Sequence, residues 1–292
     1  MSVTEDFQTF CNNIRMSDET VGTISSRCKK ITQRLNWDFW AISSDTSHSF
    51  YSGSYGRGTE TQTSDIDLVM QLPYKTYERY DSYSGNGQSA LLQAVKNSIA
   101  KTYPSTDVGG DGQVVVVNFS DGMKFEVVPA FLCNDGTYLY PDSNNGGRWR
   151  SMNPKAEIDA FDTMNIQCNR NLKRLCRMAR EWNKKNSVYM KGIIIDTAAY
   201  RFISDYAYKD KSYLYYDYMS RDFMKYLQEN ADKSYWVVPG SNWHATNYSS
   251  FKREAGEGYT RCVEAIENES KGYTYTSHSK WREHYGTKFP SA

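Results

Sequence analysis

One run of the chain, from Gly53 to Pro73, restricts what the sequence can fold into more than any other feature. The run reads GSYGRGTETQTSDIDLVMQLP. Its apolar end is short and stops at a proline, which is typical of a buried strand. Residues two apart on a strand share a face, so Asp65 and Asp67 are predicted to project together while Ile66 points into the core.

The paired carboxylates of Asp65 and Asp67 point to metal chemistry, because a divalent cation removes the repulsion between two adjacent acids. Mg²⁺ takes oxygen ligands and commonly adds substrate phosphates to its shell. Two such ions can clamp the attacking and the leaving oxygen in phosphoryl transfer. The glycines ahead of the acids allow close approach of the backbone to a ligand, and a helix that begins near Ser54 would offer free N–H groups to a triphosphate.

The alternative interpretation of the run is a glycine-rich hairpin whose aspartates cap a turn. A turn does not require three glycines, a serine and two acids on one face together. The combination therefore favours a ligand site over a simple turn.

The run resembles the nucleotidyltransferase superfamily of DNA polymerase β. Gly-Ser-Tyr-Gly-Arg-Gly-Thr followed by Ser-Asp-Ile-Asp-Leu is most similar to its cyclic-oligonucleotide branch, which holds the bacterial CD-NTases, animal cyclic GMP-AMP synthase and oligoadenylate synthase. The resemblance extends from about Asp18 to about Ile203. It implies an α+β fold: a polymerase β-like nucleotidyltransferase lobe with a mixed sheet and helices, a C-terminal helical lobe, and a cleft between them.

The predicted domains are a catalytic lobe at 1–150, with an N-terminal brace helix, and a helical lobe at 151–292 that closes the nucleotide cleft. Asp121-Gly122 between two β-rich runs predicts a hairpin, and Asn153-Pro154 predicts a helix start. Apolar periodicity predicts helices at 18–36, 88–103, 170–185 and 191–206. Polar composition predicts loops or turns at 74–87, 107–112 and 134–150.

A third acid is assigned by the resemblance. The family places a metal-binding acid on a strand just before an apolar-Val-Pro-Ala segment, and Glu126 occupies that position. Most members of the family have Asp there, so this chain carries one extra methylene. The alternative is an exposed strand glutamate with no metal.

The helix predicted at 170–185 carries seven basic residues on one side. This side either faces a bound triphosphate or is simply exposed to solvent. In the resembled family a basic residue on this helix grips the triphosphate, and Arg180 matches it best, with Lys184 next. A phosphate-binding serine of the family is not evident, because Gly192 lies near its place.

Composition narrows the class of protein. The 292 residues carry a net charge of +1, which argues against a surface that coats nucleic acid. Six cysteines without a C-x-x-C pair predict reduced, buried thiols and no zinc insertion. The sequence has no signal peptide and no run of membrane length, so we expect a cytoplasmic protein without a membrane partner.

The resemblance implies a metal-dependent nucleotidyltransferase with two Mg²⁺ or Mn²⁺ ions on Asp65, Asp67 and Glu126, and the triphosphate on Gly53, Ser54, Arg180 and Lys184. Such an enzyme joins ribonucleoside triphosphates into a cyclic di- or oligonucleotide and releases pyrophosphate. A cyclic dinucleotide that contains guanine is the expected product. The resemblance further implies bacterial anti-phage defence (CBASS), in which the product activates a separate effector. A monomer with no stably bound nucleic acid is expected.

Three alternatives remain open on the sequence. The first is a nucleotidyltransferase of the same fold that modifies RNA, a protein or a small molecule. The second is a non-catalytic sensor that binds nucleotide. The third is a purely structural two-lobed protein, which would not need the Gly-Ser turn.

Overall fold

A mixed β-sheet carries the acidic residues. The computed structural model describes residues 2–61 and 65–292. Over these residues the sheet has seven strands: β1 (Ser49–Tyr51), β2 (Ile66–Gln71), β3 (Asp107–Asp111), β4 (Val114–Asn118), β5 (Lys124–Leu132), β6 (Tyr138–Asp142) and β7 (Arg148–Met152). The strand order is β1-β2-β5-β4-β3, and β6 lies between β5 and β7. Strands β2 and β5 are parallel, and the other pairs are antiparallel.

The helices precede, interrupt and follow this sheet. They are α1 (Val3–Asn13), α2 (Asp18–Leu35), α3 (Gly53–Arg57), α4 (Tyr74–Asp81), α5 (Gly87–Thr102), α6 (Pro154–Gln167), α7 (Asn171–Lys185), α8 (Gly192–Asp205), α9 (Tyr216–Glu229), α10 (Lys252–Ser270) and α11 (Thr274–Tyr285). A π-helical turn, Asn36–Trp40, follows α2. A small hairpin of β8 (Tyr235–Val237) and β9 (His244–Thr246) lies between α9 and α10.

The chain forms two compact units. The sheet unit contains Ser17–Gly56 and the chain from Asp65 to Lys155. The helical unit contains the chain up to Met16, a short segment that begins at Arg57, and Ala156–Ala292. The catalytic and helical lobes expected at 1–150 and 151–292 stay a prediction about domains.

Local signals explain the elements that the sequence predicts. Ser17 accepts a hydrogen bond from the Thr20 backbone N–H and so caps the start of α2. Gly122, with a φ of 84°, makes the turn between β4 and β5. The apolar side of α7 is buried, and Trp182 at 0% exposure belongs to the core of the helical unit. The helices predicted at 18–36 and 170–185 and the hairpin predicted at Asp121-Gly122 are confirmed.

Three segments predicted as loops or turns form regular structure instead, and those predictions are wrong. In 74–87, α4 forms because Tyr77 packs on Phe131 and Trp149. In 107–112, β3 forms although two of its residues are glycines, because β4 supplies a pairing partner for each residue. In 134–150, β6 and β7 form around the fully buried Tyr138.

The remaining sequence expectations concern cysteines and membranes. None of the six cysteines forms a disulfide, and all but Cys133 are buried, as predicted. Within 2–61 and 65–292, none of the helices combines the length and apolarity that crossing a bilayer requires.

The buried carboxyl of Asp217, at the start of α9, predicts a pH dependence of stability. Burial raises the pKa of Asp217 from an ordinary value of 3.8 to about 6. A hydrogen bond from the Tyr218 N–H lowers this pKa, but by less than burial raises it. Because the folded state binds this proton more tightly than the unfolded chain, the stabilising contribution is full at low pH and is lost as pH rises from about 4 to 6. The gain in unfolding free energy from Asp217→Asn is expected to be about 2 kcal/mol larger at pH 7 than at pH 4.

Urea unfolding at both pH values measures this difference, with Asp159→Asn, an exposed acid of α6, as the control. An equal effect of Asp217→Asn at pH 4 and pH 7 would contradict the prediction.

Candidate active site

The structure brings the three predicted acids to adjacent positions on β2 and β5. Asp65 directly precedes β2, Asp67 is its second residue, and Glu126 lies on β5. In the parallel pairing of these strands Asp67 lies opposite Glu126. Their neighbours Ile66 and Phe125 are 1% and 0% exposed, so the other face of both strands is core. The predicted alternation along β2 is therefore confirmed.

Lys124 lies between two of these acids. Its Nζ donates to Glu126 Oε1 at 2.5 Å and to Asp65 Oδ2 at 3.3 Å. The hydrogen bond to Glu126, with a smaller contribution from Asp65, raises the pKa of Lys124, so its ammonium stays charged. The side chains of Asp65 and Glu126 are 53% and 27% exposed, so a solute can reach both.

Gly53 packs directly against the carboxylate of Asp67. Its φ is 57°, in the left-handed region, and a Cβ at this position would lie 1.8 Å from Asp67 Oδ2. The Ser52 backbone N–H donates to the Asp67 carbonyl oxygen at 2.8 Å. Glycine is thus required here both by the backbone and by the acid. Ser54 is the second residue of α3, beside this contact.

The donor set suits a hard divalent cation, because all three groups are carboxylates. Two of them already share one cation, the Lys124 ammonium. In the described part of the chain, no group of three or more Asp, Glu, His or Cys side chains is arranged as a metal site. Metal binding at these acids would therefore require Lys124 to move away from Glu126 and the carboxylates to draw together.

Arg180 and Lys184 belong to the helical unit. Arg180 donates from Nε to Asp196 Oδ1 at 3.2 Å and from Nη2 to Asp196 Oδ2 at 2.7 Å. Lys184 is exposed near the end of α7. Of the other basic residues on this helix, Lys173 pairs with Asp162 and Arg177 with Glu60. Much of the predicted basic side of α7 is thus engaged in contacts within its own unit.

Two residues of these arrangements are absent from the sequence prediction, Lys124 and Asp196. Lys124 is two positions before Glu126 on a strand, so the shared face was readable from the sequence. Asp196 is an acid in the apolar first half of the helix predicted at 191–206, a position where burial implies a basic partner. The identity of that partner depends on long-range contacts.

Residues 1–165 match the family described as the Second Messenger Oligonucleotide or Dinucleotide Synthetase domain, SMODS. The chain belongs to this family. The resemblance to the bacterial CD-NTases is thereby confirmed, and SMODS proteins are nucleotidyltransferases of the cyclic-nucleotide synthase group.

A curated relative of this SMODS chain is a cyclic AMP-AMP-AMP synthase from Acinetobacter sp.. The two sequences are 23% identical over 240 residues, which cover 81% of this chain. The match spans 66% of that protein, just under two thirds of its length.

Solved structures similar to this SMODS chain share its fold over nearly the whole length. CdnC of E. coli MS115-1, solved with ATP, is 14% identical and has a TM-score of 0.68, with 99% of each chain covered. The CD-NTase CdnG of Bradyrhizobium diazoefficiens, solved with GTP, is 10% identical and has a TM-score of 0.69, with coverage of 98% of this chain and 96% of CdnG. The predicted combination of a mixed sheet with many helices is confirmed.

The contact between Gly53 and Asp67 predicts the effect of a single methyl group. Gly53→Ala is expected to lower the free energy of unfolding by about 1–2 kcal/mol, since the left-handed backbone alone is unfavourable by that amount. The methyl group also displaces the Asp67 carboxylate, so nucleotide transfer should be lost. Urea unfolding and product assays measure the two effects.

Gly22→Ala is the matched control, because a Cβ on this exposed glycine of α2 would meet no atom within 4 Å. It should be neutral or slightly stabilising. If Gly53→Ala behaves like Gly22→Ala in both assays, the close approach of Gly53 to Asp67 is wrong.

Proposed function

We propose that this protein is a metal-dependent synthase that joins ribonucleoside triphosphates into a cyclic di- or oligonucleotide and releases pyrophosphate. The observation that carries the proposal is the pairing of Asp67 with Glu126 across two parallel strands, with Asp65 beside them, in a chain of the SMODS family. A purely structural protein would not need three partly exposed acids at neighbouring positions of two strands.

In this mechanism Asp65, Asp67 and Glu126 would hold two Mg²⁺ or Mn²⁺ ions. When bound, the ions would neutralise charge on the triphosphate and polarise the attacking hydroxyl. Gly53 and Ser54 place backbone against the β- and γ-phosphates. A phosphate role for Arg180 and Lys184 also remains part of the proposal.

The chemical step is an in-line displacement. The oxygen of a ribose hydroxyl attacks the α-phosphorus of a second nucleotide, its proton passes to a carboxylate oxygen of Glu126, and the bond from the α-phosphorus to the bridging oxygen breaks. Pyrophosphate leaves with that oxygen. Most of the rate gain is expected from positioning and charge neutralisation, and a second transfer between the joined nucleotides closes the ring.

We further propose that the substrates are purine nucleoside triphosphates. The similar CdnC and CdnG are solved with ATP and GTP, and the curated relative is named for a product with three adenines. The family is described as one that makes second messengers, so we propose that the product signals to a separate effector, in bacterial anti-phage defence.

The first test replaces one acid without changing its shape. The wild-type protein, incubated with Mg²⁺ or Mn²⁺ and the four ribonucleoside triphosphates, should yield phosphatase-resistant cyclic products by mass spectrometry. Asp67→Asn should reduce product by about 100-fold or more. Replacing a residue that merely supports a metal ligand already lowers metal affinity or activity by about 10–100-fold, and Asp67 is proposed to be a ligand itself. Asp107→Asn, an exposed acid at the edge strand β3, should retain activity.

Undiminished synthesis by Asp67→Asn would refute the metal assignment. Linear products, or label on an added acceptor, would instead indicate a nucleotidyltransferase that does not cyclise. Absence of any turnover by the wild-type protein would indicate a nucleotide-binding sensor.

A second test uses Lys124, because its ammonium pairs with two of the carboxylates that would bind a metal ion. Lys124→Met removes the charge and keeps most of the chain length, so Mn²⁺ should bind about tenfold more tightly, in line with ~1–4 kcal/mol between unit charges about 4 Å apart. Electron paramagnetic resonance of free Mn²⁺ measures the affinity without any turnover.

Lys29→Met, an exposed lysine of α2, should leave the affinity unchanged. Equal or weaker Mn²⁺ binding by Lys124→Met would show that Lys124 does not compete with a metal ion at Asp65 and Glu126.

A further inference from the structure

A buried ion network surrounds Asp196 in the helical unit. Asp196 lies on α8 and is 0% exposed. Its Oδ2 accepts hydrogen bonds from Arg180 Nη2 at 2.7 Å, from Arg57 Nη2 at 3.1 Å and from the Thr59 hydroxyl at 2.7 Å. Arg57 is itself 5% exposed. One carboxylate thus joins two cations and a hydroxyl in the interior.

Electrostatics keep this carboxylate ionised. Burial by itself would raise the pKa of Asp196, but the guanidinium groups of Arg180 and Arg57 hold it below its ordinary value. Burying charges is costly, and a buried ion network is weak support for stability compared with apolar packing. Such a network therefore suggests a role in fixing one conformation.

Two members of the network, Arg57 and Thr59, belong to the segment at 57–61, which begins at the last residue of α3. Arg57 also donates to Glu157 Oε2 at 3.2 Å, and Glu157 accepts from the Ser241 hydroxyl at 2.8 Å. Neighbouring side chains of α6 and α8 therefore determine the position of Arg57.

The side chain of Arg177 on α7 binds backbone carbonyl groups of the segment at 57–61. Its Nη2 donates to the Gly58 carbonyl oxygen at 2.7 Å, and its Nε donates to the Glu60 carbonyl oxygen at 3.1 Å. Gly58 has a φ of 65°, and a Cβ there would lie 3.0 Å from Lys173 Nζ. Side chains of three helices thus hold a five-residue segment.

We propose that Asp196 is a positioning residue for nucleotide transfer, which acts by fixing the segment at 57–61 through Arg57 and Thr59. In the chain this segment lies between the Gly53-Ser54 turn and the acids of β2. Anchoring it restricts the end of α3, which begins with Gly53 and Ser54, and small displacements of reacting groups can lower rates by about 100-fold. The inference rests on the proposed function and adds a residue that does not touch the substrate.

The experiment must separate positioning from simple stabilisation. Asp196→Asn leaves the buried Arg180 without its ion-pair partner and leaves Glu157 as the remaining ion-pair partner of Arg57. This variant is expected to unfold the protein, so the decisive variant is Thr59→Val. This near-isosteric change removes one hydrogen bond to Asp196 and leaves both ion pairs. Thr197→Val is the matched control, because Thr197 on α8 is also fully buried, while its hydroxyl has no hydrogen-bond partner among the described residues.

Two measurements are made on the full-length chain: hydrogen–deuterium exchange of a peptide covering 53–61, and kcat and KM for ATP and GTP. Thr59→Val is expected to speed exchange in this peptide about tenfold and to lower kcat/KM about tenfold. Loss of a hydrogen bond to a charged group changes an equilibrium constant by about that factor or more. Thr197→Val should match wild type in both, and Thr59→Ser should restore both.

Wild-type exchange in 53–61 of Thr59→Val would overturn the proposal. The proposal would also be overturned if kcat/KM fell no further in Thr59→Val than in Ser220→Ala. Ser220→Ala removes a buried hydroxyl that is hydrogen-bonded to Tyr216 and Tyr285. If the wild-type protein joins no nucleotides, the proposed function fails by itself, and the exchange rates still decide whether Thr59 and Asp196 anchor the segment.

Discussion

The parallel pairing of β2 with β5 is the constraint on which the rest of the candidate site depends. It sets Asp67 opposite Glu126 and leaves Ile66 and Phe125 in the core. A shift of one residue in register would turn Asp67 toward the core and Ile66 toward the face of the acids. The burial of the apolar face therefore fixes the position of the acids, and stability and chemistry depend on the same register.

Two further contacts complete this arrangement within the sheet unit. Gly53 brings the start of α3 against the Asp67 carboxylate, which only a residue without a Cβ allows. Lys124 places a positive charge between Asp65 and Glu126 and so offsets the repulsion among the acids. The same lysine makes the acids tolerable without a metal ion. This explains how three acids can lie together in a folded chain.

Much of this was predictable from the sequence, because the decisive signals are local. Alternation along β2, the Asp121-Gly122 turn and the glycines after β1 each act over a few residues. The errors have the opposite cause: β3 forms from a glycine-containing run only because β4 supplies a partner. The contacts of Arg180 also depend on a distant partner, since Asp196 lies on the next helix and its burial requires a counter-charge.

The most direct test of the central claim is anomalous diffraction from crystals of the protein with Mn²⁺ and a non-hydrolysable ATP analogue. The account predicts a Mn²⁺ peak within about 2.0–2.6 Å of carboxylate oxygens of Asp65, Asp67 and Glu126, with Lys124 moved away from Glu126. Nucleotide bound elsewhere, no peak among these acids at saturating Mn²⁺, and an intact pair between Lys124 and Glu126 would contradict it.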